Sequence, residues 1–290
     1  MHARSIAVIV NPQRRDALDE LLASLANRSA VEVVEPDGAD ALSDAVRAAA
    51  DRVDIVAAIG GDGTQRTAAE ALKGTNTALA VVPGGTSNLF ARVLGVGSVP
   101  DAARAIEHGR QRTIDTGIVD GETFVLHAST GYDAEVMRRV DDGAKRWGRL
   151  GYAVTGLRTL WSHRRHRVEV VVDGATFFSG SAMTVLITNV PQRGAADFMV
   201  ARGGACDDGL LDVVVQRSDT TATMARALWA LSRGRSPRDD DLLVGHGCSI
   251  DVHWSLPVAA QRDGDAVDAA ADVHHRIDPG SLDVCVLVGD

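Results

Sequence analysis

Ile55-Val56-Ala57-Ala58-Ile59-Gly60-Gly61-Asp62-Gly63-Thr64-Gln65-Arg66 is the stretch that sets the architecture of this chain. Its unbroken apolar run reads as a strand buried on both faces, the kind found in parallel sheets. Glycines around one carboxylate then end the strand where a helical pattern begins, at residues 65–72. Bare backbone N–H groups and a helix N-terminus meet at that point, an arrangement that holds phosphate.

Outward from this stretch, apolar runs at residues 5–10, 31–34 and 78–82 read as further strands. Helical spacing at residues 18–25 and 41–50 separates them. Strand and helix alternate, so residues 1–114 are expected to form an N-terminal Rossmann-like parallel α/β domain. Ligands of such sheets sit outside the carboxyl ends of the strands. Three loops lie there: Asn11-Pro12, residues 60–64, and Pro83-Gly84-Gly85-Thr86-Ser87-Asn88. The last repeats the logic of the first glycine loop, with Thr86 and Asn88 as side-chain donors. The loops are expected to converge.

From Thr113 onward, alternating runs joined by tight turns replace this rhythm. Asp120-Gly121 and Asp173-Gly174 stand between apolar runs, a strong hairpin signal. Further strands are expected at residues 182–187, 210–216, 249–254, 273–277 and 282–288, with helices near 132–141, 150–161 and 220–231. Residues 115–290 are therefore expected to form a C-terminal antiparallel β-sandwich, its last strand open to return to the first domain.

The cysteines Cys206, Cys248 and Cys285 are far apart and odd in number, which reads as packed free thiols of a reducing compartment. No apolar run approaches the roughly 20 residues that span a bilayer, and the N-terminus carries no signal-peptide pattern, so a cytoplasmic location is expected. A net charge of -9 argues against nucleic acid as a partner, because non-specific binding needs excess Lys and Arg.

The paired glycine loops resemble those of the diacylglycerol kinase catalytic family, which includes bacterial lipid kinases and the sphingosine and ceramide kinases, and is more distantly related to NAD kinases. The resemblance covers nearly the whole chain. It implies an enzyme that moves the γ-phosphate of ATP to a hydroxyl of a membrane lipid, diacylglycerol first. The implied nucleotide contacts are Asn11, Gly60, Gly61, Asp62, Gly63, Thr64, Gln65, Arg66, Gly85, Thr86 and Asn88. Asp115, in Ile114-Asp115-Thr116-Gly117, falls at the family's aspartate near the catalytic centre. Asp207-Asp208-Gly209-Leu210-Leu211-Asp212-Val213 is similar to the family's magnesium motif, so the implied ligands are Asp208 and the carbonyls of Ala205 and Leu210. By residue chemistry alone, Asp208-Gly209 reads equally as an ordinary hairpin turn.

Arg262-Asp263-Gly264-Asp265 matches the family's Asp-Gly-Glu, which makes Asp265 the implied base and Asp62 and Asp115 its implied catalytic partners. Asp263-Gly264 is also a type I′ turn pair. This chain departs from the family in several places. Asp265 is one methylene shorter than glutamate, Asn11-Pro12-Gln13-Arg14-Arg15 lacks the family's glycine and offers arginines for its lysine, Arg66-Thr67 replaces Asn-Glu, and Glu35 stands near the place where the family often has a threonine that contacts phosphate. These departures motivate an alternative, a weak or inactive member that binds nucleotide or lipid; an NAD kinase-like enzyme is a second.

Residues 138–167 concentrate Arg and Lys around Leu150, Val154, Leu157 and Trp161 at helical spacing. Such a helix can lie on an anionic membrane, giving peripheral association, or pack on a core with a solvated rim. A homodimer stays open.

Overall fold

The computed structural model describes residues 4–25, 31–139, 155–156, 158–159, 166–190, 205–217 and 242–288. Of the helix expected at residues 150–161, the described residues 155–156 and 158–159 are helical; the helix expected at 220–231 and most of the cationic segment 138–167 fall outside the described residues. The chain divides into two compact units, Met1–Thr116 with Pro279–Asp290, and Gly117–Asp278.

The first unit is built on parallel strands β1 (Ile6–Val10), β2 (Val31–Val34), β3 (Ile55–Gly60) and β4 (Ala78–Pro83) in the order β4-β3-β1-β2. β1 and β3 are buried at every residue, which is why they read as continuous apolar runs rather than alternating ones. Helices α1 (Arg15–Ser24), α2 (Ala39–Ala49) and α3 (Asp62–Leu72) bury one face each: Leu18 and Leu21, Leu42 and Val46, Ala68 and Leu72. A short α4 (Leu89–Val93) follows the second glycine loop. α5 (Val99–His108), which the sequence reading leaves out, starts where Ser98 Oγ accepts the Asp101 N–H at 3.2 Å.

The second unit is antiparallel. β5 (Arg110–Val119) enters it and turns through Asp120-Gly121 into β6 (Glu122–Phe124); β7 (His127–Gly131) and α6 (Tyr132–Arg139) follow. β8 (His166–Val172) turns through Asp173-Gly174 into β9 (Ala175–Thr188), and β10 (Leu211–Arg217), β11 (Leu242–Gly247) and β12 (Ser249–Arg262) complete the ladder with β13 (Asp265–Val286). β9 pairs with β8, β7 and β10, while β12 pairs with β8, β7 and β13. Val168 and Val170, Val185 and Ile187, Leu211 and Val213, and Ile250 and Val252 alternate into one core with Trp254.

Three sequence expectations change. The strands expected at residues 273–277 and 282–288 are one strand, β13, which continues through Pro279 because Gly280 takes φ +58° there. The apolar run that follows Asp120-Gly121, residues 123–128, which reads as one strand in the sequence, is split between β6 and β7. Of the three cysteines, Cys206 and Cys285 are buried but Cys248 is exposed; burial pushes the Cys285 thiol up to about 11.

The three Asp-Gly turns share a second role. Asp120, Asp173 and Asp263 all sit near φ +48° with a positive-φ glycine behind them, as hairpin turns require. Each carboxylate also fastens a distant strand: Asp120 Oδ1 accepts the His274 N–H at 3.0 Å, and Asp173 Oδ1 accepts those of Cys248 and Ser249, both at 2.9 Å. Asp263 does so most heavily, as described below.

Candidate functional site

β3 and β4 lie in register through Gly60 and Pro83, so their loops leave the sheet at one level. The loops touch. The Gly84 N–H donates to the Gly60 carbonyl at 2.9 Å. A Cβ on Gly85 would stand 2.5 Å from Gly61 Cα, and one on Gly84 would stand 3.2 Å from Gly60 Cα. Backbone presses on backbone, which is the reason for glycine at these positions.

The carboxylate between the glycines joins the two loops further. Asp62 is the first residue of α3, and its Oδ1 accepts the Phe90 N–H at 3.0 Å at the start of α4. Gln65 is 2% exposed, and its Nε2 donates to the carbonyls of Ala58 at 2.8 Å and Val82 at 3.1 Å, stitching the ends of β3 and β4. Asn88 adopts a left-handed conformation at φ 47°, and its amide closes on Gly85 with bonds of 2.7 and 2.9 Å. Gln65 and Asn88, read from the sequence as ligand contacts, thus spend these amide bonds inside the loops. Thr86 and Ser87 are exposed at the loop tip, as is Gly63, while Thr64 packs against Gly60. Arg66 is half-buried on α3, and Thr67 Oγ1 bonds the Gly63 carbonyl at 3.1 Å.

The loop after β1 joins the same group through the Asn11 N–H, 3.2 Å from the Ile59 carbonyl. Asn11 Oδ1 accepts the Gln13 N–H at 3.0 Å and starts a 3-10 turn, Pro12–Arg14. The arginines after it divide. Arg15 donates from Nε and Nη2 to Glu35 Oε2 at 3.1 and 2.7 Å. The Arg14 stem lies beside the second glycine loop, its Cγ 3.5 Å from a Cβ position on Gly84. Arg14 is one of the two arginines that the sequence offers where the family has a lysine.

Asp115, on β5, is 4% exposed, and its Oδ1 accepts the Gly280 N–H at 2.7 Å where β13 bends. Thr113 Oγ1 bonds Asp283 at 2.6 Å and Thr116 Oγ1 lies 2.8 Å from Ser281 Oγ, so β5 and β13 are fastened along this length.

Residues 5–119 match the diacylglycerol kinase catalytic domain, and residues 127–286 match the YegS C-terminal NAD kinase beta sandwich-like domain. A diacylglycerol kinase of Bacillus subtilis is 30% identical over 231 residues, which cover 78% of this chain and 76% of that relative. The chain belongs to the diacylglycerol kinase-like lipid kinase family. Its fold is that of a diacylglycerol kinase from Bacillus anthracis, with a TM-score of 0.74 at 19% identity over 98% of this chain and 97% of the other. An NAD kinase from Archaeoglobus fulgidus in complex with ATP is similar at a TM-score of 0.54 and 13% identity, over 97% of this chain and 93% of the other.

The other site residues expected of a lipid kinase lie in the second unit. Asp263 is buried at the β12–β13 turn; its Oδ1 accepts the N–H groups of Leu126 at 2.8 Å and His127 at 2.9 Å, and its Oδ2 accepts that of Val125 at 2.9 Å. The Gly264 N–H donates to Gln261 Oε1 at 2.8 Å, and Gln261 Nε2 continues to Ser129 Oγ at 2.8 Å. Asp265, the expected base, follows this anchored turn, exposed and opposite Arg262. Two adjacent acids therefore differ in kind: Asp263 is structural and Asp265 faces outward.

The expected metal ligands sit on the turn before β10. Asp208 is exposed, and its Oδ1 accepts the Leu210 N–H at 3.1 Å across Gly209, which has φ +74°. One carboxylate and the carbonyls of Ala205 and Leu210 make an all-oxygen donor set that fits a hard divalent cation. Burial, then the nearby Asp208 charge, pushes the Asp212 carboxyl above its ordinary value, a strain that a cation would relieve. Among the described residues no group of three or more His, Cys, Asp or Glu gathers to hold a metal, so such a cation would lean on carbonyls and water. Asp115 and Asp208 belong to different units.

Arg138 and Arg139, the described start of the cationic segment, both pair with Glu135. No described helix is long and apolar enough to cross a membrane.

Proposed function

We propose that this lipid kinase family member transfers the γ-phosphate of ATP to a hydroxyl of a membrane lipid, with diacylglycerol the first candidate and phosphatidic acid its product. The observation that carries the reading is the backbone-to-backbone packing of Gly60-Gly61 and Gly84-Gly85 at the N-terminus of α3. Phosphoryl transfer asks chiefly for positioned phosphates and stabilised charge. The N–H groups of residues 60–64 and 85–86 would hold the phosphates, Arg14 would add a cation, and Asp62 would keep the loops in register. The acceptor oxygen bonds to the γ-phosphorus as the bond to the β-phosphate oxygen breaks, ADP leaves, and the hydroxyl proton passes to Asp265. When bound, magnesium neutralises negative charge; Asp208 with the carbonyls of Ala205 and Leu210 would hold it. Residues 138–167 would meet the membrane surface.

The test is incubation of the purified chain with γ-labelled ATP, magnesium and a mixed lipid extract, with NAD in a parallel tube. Label in a lipid supports the reading. Label in NAD alone, or in neither, overturns it.

A further inference from the structure

Asp265 is the first residue beyond the Asp263-Gly264 turn, so its carboxylate goes where that turn puts it. It has one torsion fewer than a glutamate with which to correct a displaced backbone. A two-residue turn bonds its flanking residues to each other and leaves the N–H of its second central residue to find its own partner. Here that N–H belongs to Gly264, at φ +89°, and the side chain of Gln261 takes it at 2.8 Å.

Gln261 is 2% exposed on β12 and lies opposite Ser129 of β7. Two other elements fix its amide. Ser129 Oγ donates at 2.7 Å to Oδ2 of Asp133, in the first turn of α6. Gln261 Nε2 donates to both groups, to Ser129 Oγ at 2.8 Å and to Asp133 Oδ2 at 3.3 Å. Donor and acceptor chemistry allows this chain one direction. The Asp133 carboxylate only accepts, so the Ser129 hydroxyl points at it and accepts from the Gln261 amino group. Oε1 is thereby turned toward Gly264, whose N–H only donates. A reversed amide would set donor against donor at the turn and carbonyl against carboxylate at the far end. Asp133 is held in turn through its own N–H, which donates to Thr184 Oγ1 of β9 at 3.2 Å.

We infer that Gln261 is a positioning residue for Asp265, its amide aimed by Ser129 and Asp133 and closed on the Gly264 N–H. The Asp263 carboxylate pins the same turn through residues 125–127, but that grip lies before the central peptide, and Gln261 holds what comes after it. The task given to Asp265 rests on the lipid kinase reading; the hold on the turn does not. A misplacement of about 1 Å can cost on the order of a hundredfold in rate. Releasing the turn should therefore be felt in turnover and not in the binding of ATP.

The experiment joins amide exchange, read by NMR on the isotope-labelled chain, to kinetics with ATP and dioctanoylglycerol. Gln261→Met keeps the bulk and removes both polar ends. It should speed exchange at Gly264 about tenfold or more while Leu126, held by Asp263, stays within about twofold. It should also lower kcat about tenfold or more, with the KM for ATP within about twofold. Adding Asp265→Glu should restore kcat to within about threefold of Asp265→Glu alone, because the longer acid can reach from a loosened turn. A loss of general stability would not be restored in this way. Should Gln261→Met fail to fold, Ser129→Ala removes only the hydroxyl that aims the amide, and both readouts should move about threefold in the same directions with the same recovery. Unchanged exchange at Gly264, unchanged kcat, or no recovery by Asp265→Glu overturns the inference. Absence of transfer by the wild-type chain overturns the kinase reading instead, and exchange at Gly264 then decides by itself whether Gln261 holds the turn.

Discussion

Arg15 holds Glu35 through two bonds to a single carboxylate oxygen, Nε at 3.1 Å and Nη2 at 2.7 Å. Two departures from the family, an arginine after the first loop and an acid after β2, therefore neutralise each other. Arg15→Ala is expected to leave stability within about 1 kcal/mol, as exposed pairs do, yet raise the KM for ATP severalfold. Adding Glu35→Gln should restore it. Steady-state kinetics of both chains check this; an unchanged KM in Arg15→Ala removes Glu35 from the account of nucleotide binding.

Asp62 ties the glycine loops together through Phe90. Asp62→Ala should cost about 1 kcal/mol through the lost backbone bond and abolish transfer. Asp62→Asn keeps an acceptor, so its melting temperature should match wild type while turnover falls at least tenfold. Full turnover in Asp62→Asn would confine this residue to holding α4.

The closeness of Gly85 and Gly61 leaves no room for a methyl group. Gly85→Ala is expected to abolish nucleotide binding, read by thermal stabilisation with ATP. Gly97→Ala is the control, since its nearest neighbour is the Asp101 carboxylate at 3.4 Å.

Asp263 and Asp265 should separate by assay. Asp263→Ala orphans three backbone N–H groups and should destabilise by about 3 kcal/mol or more. Asp265→Asn should unfold like wild type and lose lipid phosphorylation, whereas Asp265→Glu should retain it. Comparable unfolding of the two aspartate variants would overturn the division of roles.

Burial holds the His275 ring neutral, lowering its pKa to about 4 from an unfolded value near 6.5. Its folded pKa is depressed, so stability is full above 6.5 and falls as pH drops toward 4. By pH 5 the loss is about 2 kcal/mol. The hydrogen bond that His274 Nδ1 donates to the Asp251 carboxylate raises the pKa of His274, which contributes the opposite way, with stability present in acid and lost as pH rises through its folded pKa. His274 is exposed, so the buried ring should dominate. Urea unfolding at pH 7.5 and pH 5 should show His275→Asn losing less stability than wild type; equal losses would show that His275 does not set this slope.

The parallel strands were legible because burial on both faces leaves runs such as Val8-Ile9-Val10 and residues 55–59 with no polar alternative. The Asp-Gly hairpins were legible because few other pairs accept two positive φ angles. Less legible was what each polar residue does once placed. Gln65 and Asn88 look like contacts in the sequence because amides suit phosphate, yet they bond carbonyls and N–H groups brought near only by the finished loops. The partner of Arg15 lies 20 residues away, and those of Asp263 lie more than 130 away. Long-range pairing of this kind leaves no local pattern. The continuity of β13 was hidden for a related reason: Pro279-Gly280 is a breaker signal, and the carboxylate that steadies it, Asp115, belongs to another strand.

β13 also carries a consequence for synthesis. Val284 pairs with Leu79, so the strand beside β4 in the first unit is made only after the whole of Gly117–Asp278. While the ribosome completes that insertion, the apolar edge of β4 waits without its partner, a template for wrong pairing. The nascent chain must shelter that edge, and a chain shortened before Leu282 never closes it.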